Sequence, residues 1–170
     1  MAPVSHDLVR GAHQAQGTPA PGSRATRDKA GRLVEPLRQL GAAMTFKLSK
    51  RSLDRLHGVH PRLQEVVKRA IEITPVDFVV LEGLRTIERQ RALVTAGASR
   101  TMSSRHLTGH AVDLGAWVDG QVRWDWPLYH RLADSVKQAA RELGVPIEWG
   151  GDWQGFPDGP HYQLPWASYP

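Results

Sequence analysis

The ten residues Ser104-Arg105-His106-Leu107-Thr108-Gly109-His110-Ala111-Val112-Asp113 contain an imidazole and a carboxylate, His106 and Asp113, set seven positions apart. That interval exceeds one helical turn, but a loop feeding a strand can aim both at one point. Gly109 allows the close backbone approach such a turn needs. His161, at the head of a late apolar segment, is the third candidate. Two imidazoles and one carboxylate leave a fourth position open, as catalytic zinc requires. Zinc lowers the pKa of a bound water to about 7, which provides a nucleophile for hydrolysis. A hydrolase also needs a base. Asp158 stands three residues before His161, in Asp158-Gly159-Pro160-His161, with Glu148 and Asp152 as rivals. Arg85 closes Glu82-Gly83-Leu84-Arg85, where a fixed guanidinium can hold a carboxylate or a developing oxyanion.

Each of these residues also has an ordinary structural role open to it. His106 alone can be a surface histidine, and Asp113 a surface partner of Arg105. Asp158-Gly159 reads like any turn. Arg85 can simply pair with Glu82 or Glu88. His57, His60, His110 and His130 are set aside as non-ligands. Of the six tryptophans, Trp117, Trp149 and Trp153 are candidates for a substrate groove, with core packing expected for at least half of them.

The elements that must position these groups are legible from periodicity and caps. Ser49 caps a short helix reaching Leu56, with Leu53 and Leu56 on one face. Pro61 opens a helix to Ile73 that turns Leu63, Val66, Val67 and Ala70 inward. Phe78–Leu81 reads as a buried strand, and Thr86–Ala96 as a helix stopped by Gly97. Ala111–Val118 reads as a strand, turning at Asp119-Gly120 into Gln121–Trp124. A long helix covers Pro127–Leu143 and stops at Gly144. Ile147–Trp149 and His161–Leu164 are the last strands. The expected class is α+β, a small, mostly antiparallel sheet with flanking helices and the metal site on the sheet.

The chain has 170 residues, 41% of them hydrophobic, enough for one domain with a core. Without cysteine, disulfides and thiolate metal sites are excluded. No apolar run approaches the roughly 18 residues of a membrane helix, so no stable membrane insertion is expected. Residues 1–43 form a separate, polar segment expected to be a flexible extension, with a short helix over Asp28–Leu40. Met44 is a candidate natural start, leaving 44–170 as the domain that carries the candidate zinc site. With no signal-peptide core in residues 1–22, the product is expected to stay in the cytoplasm unless something else releases it. The net charge of +5 suits an anionic wall polymer, while no basic helix, finger spacing or RNA motif supports nucleic-acid binding. A monomer is expected.

Ser104-x-His106-x-x-Gly109-x-Ala111-x-Asp113, followed by Asp158-x-x-His161-x-Gln163, resembles the signature of the zinc D-Ala-D-Ala carboxypeptidase and dipeptidase family. It is most similar to the phage L-alanyl-D-glutamate endopeptidase branch. Glu82-Gly83-Leu84-Arg85-Thr86-x-Glu88-Arg89-Gln90 and Glu148-Trp149-Gly150-Gly151-Asp152-Trp153 are similar to that branch too, and the likeness covers about residues 44–166. The resemblance implies Zn2+ on His106, Asp113 and His161, with Asp158 as general base, where many relatives carry Glu. It implies Arg85 on substrate and oxyanion, and Ser104 near the substrate, beside Trp149 and Trp153 from the groove reading. The implied reaction is hydrolysis of the peptidoglycan stem peptide at the L-alanyl-D-glutamate bond, leading to host lysis. A D-Ala-D-Ala dipeptidase or carboxypeptidase, and a non-catalytic zinc module of the same fold, are the competing readings.

Overall fold

A computed structural model describes residues 45–170 and, before them, the short segments Thr26–Arg27 and Leu33–Val34. The chain divides into two units, Met1–Gly41 and Ala42–Pro170. In the first, strands β1 (Thr26–Arg27) and β2 (Leu33–Val34) pair antiparallel, Thr26 opposite Val34. The helix expected over Asp28–Leu40 is therefore corrected at Leu33–Val34. Gly31 in that stretch is a poor helix former, which works against helical propagation there. The flexible character expected of residues 1–43, and the start at Met44, lie outside the described residues.

In the second unit, Ser49 caps helix α1 (Lys50–Arg55), its hydroxyl accepting from Ser52 N. Leu56 is buried as expected, but Leu53 is exposed. The inward side chain is Ser52, whose hydroxyl accepts from Val80 N in the sheet. Helix α2 (Pro61–Ile73) buries Leu63, Val66, Val67, Ala70 and Ile71, and α4 (Trp126–Leu143) packs beside it. Gly144 ends α4 in the left-handed region, φ +63°. Helix α3 (Ile87–Thr95) is capped by Thr86.

The sheet contains β3 (Phe78–Glu82), β4 (Ala111–Val118), β5 (Gln121–Arg123), β6 (Glu148–Trp149) and β7 (His161–Gln163). Its order is β3-β4-β7-β6, with β5 pairing the far end of β4, and every described pairing is antiparallel. Side chains alternate across a strand, so the two faces of this sheet have different tasks. Val80, Val112, Leu114, Tyr162 and Leu164 point into the core shared with α2 and α4. The intervening residues Asp113, His161 and Gln163 point to the other face. Truncating a fully buried side chain such as Leu132 to Ala would cost about 2–5 kcal/mol.

One irregularity matters for the site. Val80 pairs with Leu114 and Glu82 with Asp113, so two steps on β3 match one on β4. Leu81 is the extra residue of a β-bulge, and bulges re-aim side chains. Strict alternation would put Glu82 on the core face with Val80. The bulge turns it to the side of Asp113.

Candidate metal centre and cleft

Antiparallel pairing sets Asp113 directly opposite His161, and Glu82 on its other flank. His106 arrives from a 3-10 turn, Arg105–Thr108, whose first amides are capped by the Ser104 hydroxyl accepting from His106 N. Gly109 ends that turn with φ +72°, and a side chain there would meet the carbonyl of Gly58 at 2.3 Å. The close approach expected of Gly109 is therefore present, and it brings the chain back into β4.

The three candidate donors face one another. His106 Nε2 lies 3.2 Å from Asp113 Oδ1, His161 Nδ1 lies 3.2 Å from the same oxygen, and the two nitrogens are 3.3 Å apart. The outer nitrogens are tied elsewhere. His106 Nδ1 is 2.8 Å from the Gly83 carbonyl, which can only accept, so Nδ1 carries the proton. His161 Nε2 is 3.0 Å from Gln163 Oε1, and Gln163 donates its amide N–H to Glu148 at 2.7 Å. Because a carboxylate accepts, that second bond orients the glutamine and puts the His161 proton on Nε2. Both inward nitrogens then present lone pairs to a carboxylate oxygen at about 3 Å. Three acceptors so close repel one another unless a cation sits among them. A four-coordinate ion with bonds of about 2.0–2.1 Å separates its ligands by roughly 3.3 Å. The residues present therefore fit a metal ion, and His106, Asp113 and His161 are together the group of described residues able to hold one.

The electrostatics agree with that geometry. Where protons take the place of a cation on the inward nitrogens, burial pushes the Asp113 carboxyl up, but hydrogen bonds from His106 and His161 outweigh it and hold Asp113 well below the usual carboxylate range. Burial works to lower His161, and the bond to Asp113 overrides it, leaving His161 above the ordinary histidine value. Asp158 is pushed up, first by burial and then by the nearby Asp113 charge.

A cleft of about 350 Å3 opens over this centre, and its wall includes Asp158, Arg85, Ser104 and Trp153. Asp158 N donates to the Gly150 carbonyl at 2.8 Å, and a side chain at Gly150 would strike Asp158 and His161. The glycine thus lets the Asp158 turn close onto β7. The two rival carboxylates are engaged elsewhere. Glu148 holds Gln163, and Asp152 pairs with Lys137 at 2.6 Å, largely exposed.

The remaining expectations divide. Arg85 lies on the wall but is committed: Nε and Nη2 bind Glu82 bidentately, Nη1 donates to Gln90 Oε1, and Nη2 is 3.6 Å from Asp113 Oδ2. Of the three groove tryptophans, Trp153 comes to the cleft, tilted against His161. Trp149 is not brought there. It is buried, donates its indole N–H to the Gly159 carbonyl and supports the Asp158 turn from behind. Trp117 is also off the cleft wall, at the hairpin end of β4. Arg105 does not pair with Asp113. It is buried, bonded to the carbonyls of Leu164 and Tyr169 and covered by Trp166. Sequence reasoning assigned no role to Gln163, Gln90, Phe156 or Trp166. The first two stand inside the motifs, but their partners lie on other segments.

The fold and site together define a small α+β domain whose sheet carries three donors able to hold a metal ion beneath an open cleft. Residues 44–163 match the family model of the phage L-alanyl-D-glutamate peptidase, and the chain belongs to that family. It is 34% identical over 119 residues to the L-alanyl-D-glutamate peptidase of Escherichia phage T5, covering 68% of this chain and 87% of that protein. It is 30% identical to the peptidoglycan L-alanyl-D-glutamate endopeptidase CwlK of Bacillus subtilis, covering 64% of this chain and 73% of that one. The crystal structure of the Serratia marcescens L-Ala D-Glu endopeptidase ChiX matches with a TM-score of 0.71 and 47% identity, over 77% of this chain and 98% of that one.

Proposed function

We propose that this protein hydrolyses the L-alanyl–D-glutamate bond of the peptidoglycan stem peptide, with Zn2+ held by His106, Asp113 and His161. The observation that carries the reading is the set of three inward-facing acceptors, two of them imidazole nitrogens whose rings hold their protons on the outer side. When bound, zinc supplies a Lewis acid and lowers the pKa of a water to about 7. The protein's own residues do the rest. Asp158 is the general base, taking the proton from the attacking water and returning it to the leaving amine. Burial and the Asp113 charge push its pKa up, which makes it a stronger base than an ordinary aspartate. Arg85 braces Asp113 and presents positive charge where the oxyanion develops. Ser104 shapes the His106 turn and the adjoining wall, and Trp153 offers an aromatic face to the substrate. Residues 44–170 carry this activity as a monomer, without nucleic acid. The enzyme acts from the host cytoplasm after release to the wall, and the outcome is lysis.

The test is mass spectrometry of products released from purified Gram-negative peptidoglycan, with and without chelator. Peptides beginning at D-glutamate, lost with chelator and restored by zinc, support the reading. Free D-alanine or its dipeptide would move the activity to the carboxypeptidase or dipeptidase class. No release from the metal-loaded protein would leave a non-catalytic zinc module.

A further inference from the structure

The basic side chains on the cleft wall differ in what their donors do. Arg85 is spent on Glu82 and Gln90, and Arg105 is sealed beneath Trp166, with Nε and Nη2 on backbone carbonyls and Nη1 buried away from any ligand. Arg100 also lines the cleft, yet among the described residues it has no hydrogen bond and no ion pair. Its guanidinium lies 4.1 Å from the centre of the Phe156 ring, on the opposite loop. Stacking of this kind restrains the side chain while leaving the in-plane fork of N–H donors open. An open, pre-ordered fork is the geometry that receives a carboxylate bidentately.

The loop that presents Arg100 is anchored from inside the protein. Gln90 on α3 is fully buried, and its amide nitrogen donates to Ser99 Oγ at 2.8 Å and to the Thr101 carbonyl at 2.6 Å. These are the two neighbours of Arg100. The amide oxygen of the same glutamine accepts from Arg85, which braces Asp113. One buried side chain therefore ties the position of Arg100 to the metal centre. A buried amide is costly unless satisfied, and here it is satisfied by this loop and this arginine.

The chemistry of the proposed substrate supplies a matching group. D-glutamate in the stem peptide continues the chain through its side-chain carboxyl, so its α-carboxylate is free, two bonds from the scissile nitrogen. Asp113 and Asp158 on the cleft wall would repel that charge. We infer that Arg100, stacked on Phe156, receives the α-carboxylate of D-glutamate and sets the preference for an acidic over an amidated stem peptide. This rests on the peptidase reading above.

The test uses two synthetic muropeptides that differ only in this group, D-glutamate against its α-carboxamide. Steady-state kinetics are measured on the zinc-loaded full chain and on Arg100→Gln, Arg100→Lys and Phe156→Leu. The expected wild-type preference for the carboxylate is about tenfold in kcat/KM and lies mainly in KM, the size of one charge-assisted contact. Arg100→Gln should collapse the preference, Arg100→Lys should restore part of it, and Phe156→Leu should weaken it. The inference is overturned if the wild type cleaves both substrates equally, or if Arg100→Gln slows both by the same factor, which would mark a structural role. Failure of the wild type to cut either substrate, while releasing some other fragment from whole sacculi, would overturn the peptidase reading itself.

Discussion

The floor of the cleft and its rim are built on opposite principles. On the floor, Asp113 and His161 sit on paired strands, and each inward histidine nitrogen is aimed by a bond to its other nitrogen. Such outer partners lock a ligand before any ion arrives. On the rim, the exposed Arg100 and Phe156 stack on each other, and the exposed Trp166 covers the buried Arg105. The rim borders segments with positive-φ glycines, Gly97 and Gly155. Floor positions are fixed by hydrogen bonds to each donor, whereas the rim side chains are held by stacking and keep their polar groups open to what binds. Substitutions on the floor should therefore act on metal and chemistry, and those on the rim on substrate affinity.

The largest effect is expected at the floor. His106→Ala should abolish both metal binding, measured by equilibrium dialysis with elemental analysis, and activity, with the circular dichroism of a folded domain retained. Retention of stoichiometric metal would break the assignment. Asp158→Asn should keep the metal and lose about 10²- to 10⁴-fold in kcat. Full activity in that variant would transfer the base to Glu148 or Asp152.

Next comes the pH profile. Burial and the Asp113 charge favour the protonated form of Asp158, so its base form is lost at a higher pH than for a free aspartate. As pH falls, activity should drop through that raised value, placing the acid limb of kcat above the ordinary aspartate range. An acid limb at the ordinary aspartate value would separate Asp158 from the rate. Gln163→Leu removes the acceptor that sets the His161 tautomer. It should weaken zinc affinity about 10- to 100-fold in a chelator competition, with the fold intact. Unchanged affinity would mean that the strand pairing alone orients His161.

The smallest effect belongs to the rim. Trp166→Ala uncovers the buried Arg105, and a cation–π contact to a desolvated cation contributes about 2 kcal/mol. A fall in melting temperature of a few degrees, with kcat nearly unchanged, is expected. A loss of metal in this variant would erase the distinction between floor and rim.

Much of the floor could be read from the chain. The alternation of Val112, Asp113 and Leu114, and of His161, Tyr162 and Gln163, already separates a core face from a chemical face, because side chains on a strand alternate. Ser49, Pro61, Thr86, Gly97 and Gly144 marked helix ends through local hydrogen bonding and local φ preference, which depend on near neighbours. These signals determined the element order, the α+β class and the candidate ligands. Only the tertiary structure decided what those residues touch. The Leu81 bulge that turns Glu82 toward Asp113 depends on register with β4. The burial of Trp149 and Arg105, and the meeting of Arg100 with Phe156, depend on segments tens of residues apart. Spacing along a chain constrains conformation over a few residues, whereas contacts between distant segments are selected by packing and by the need to satisfy every buried polar group.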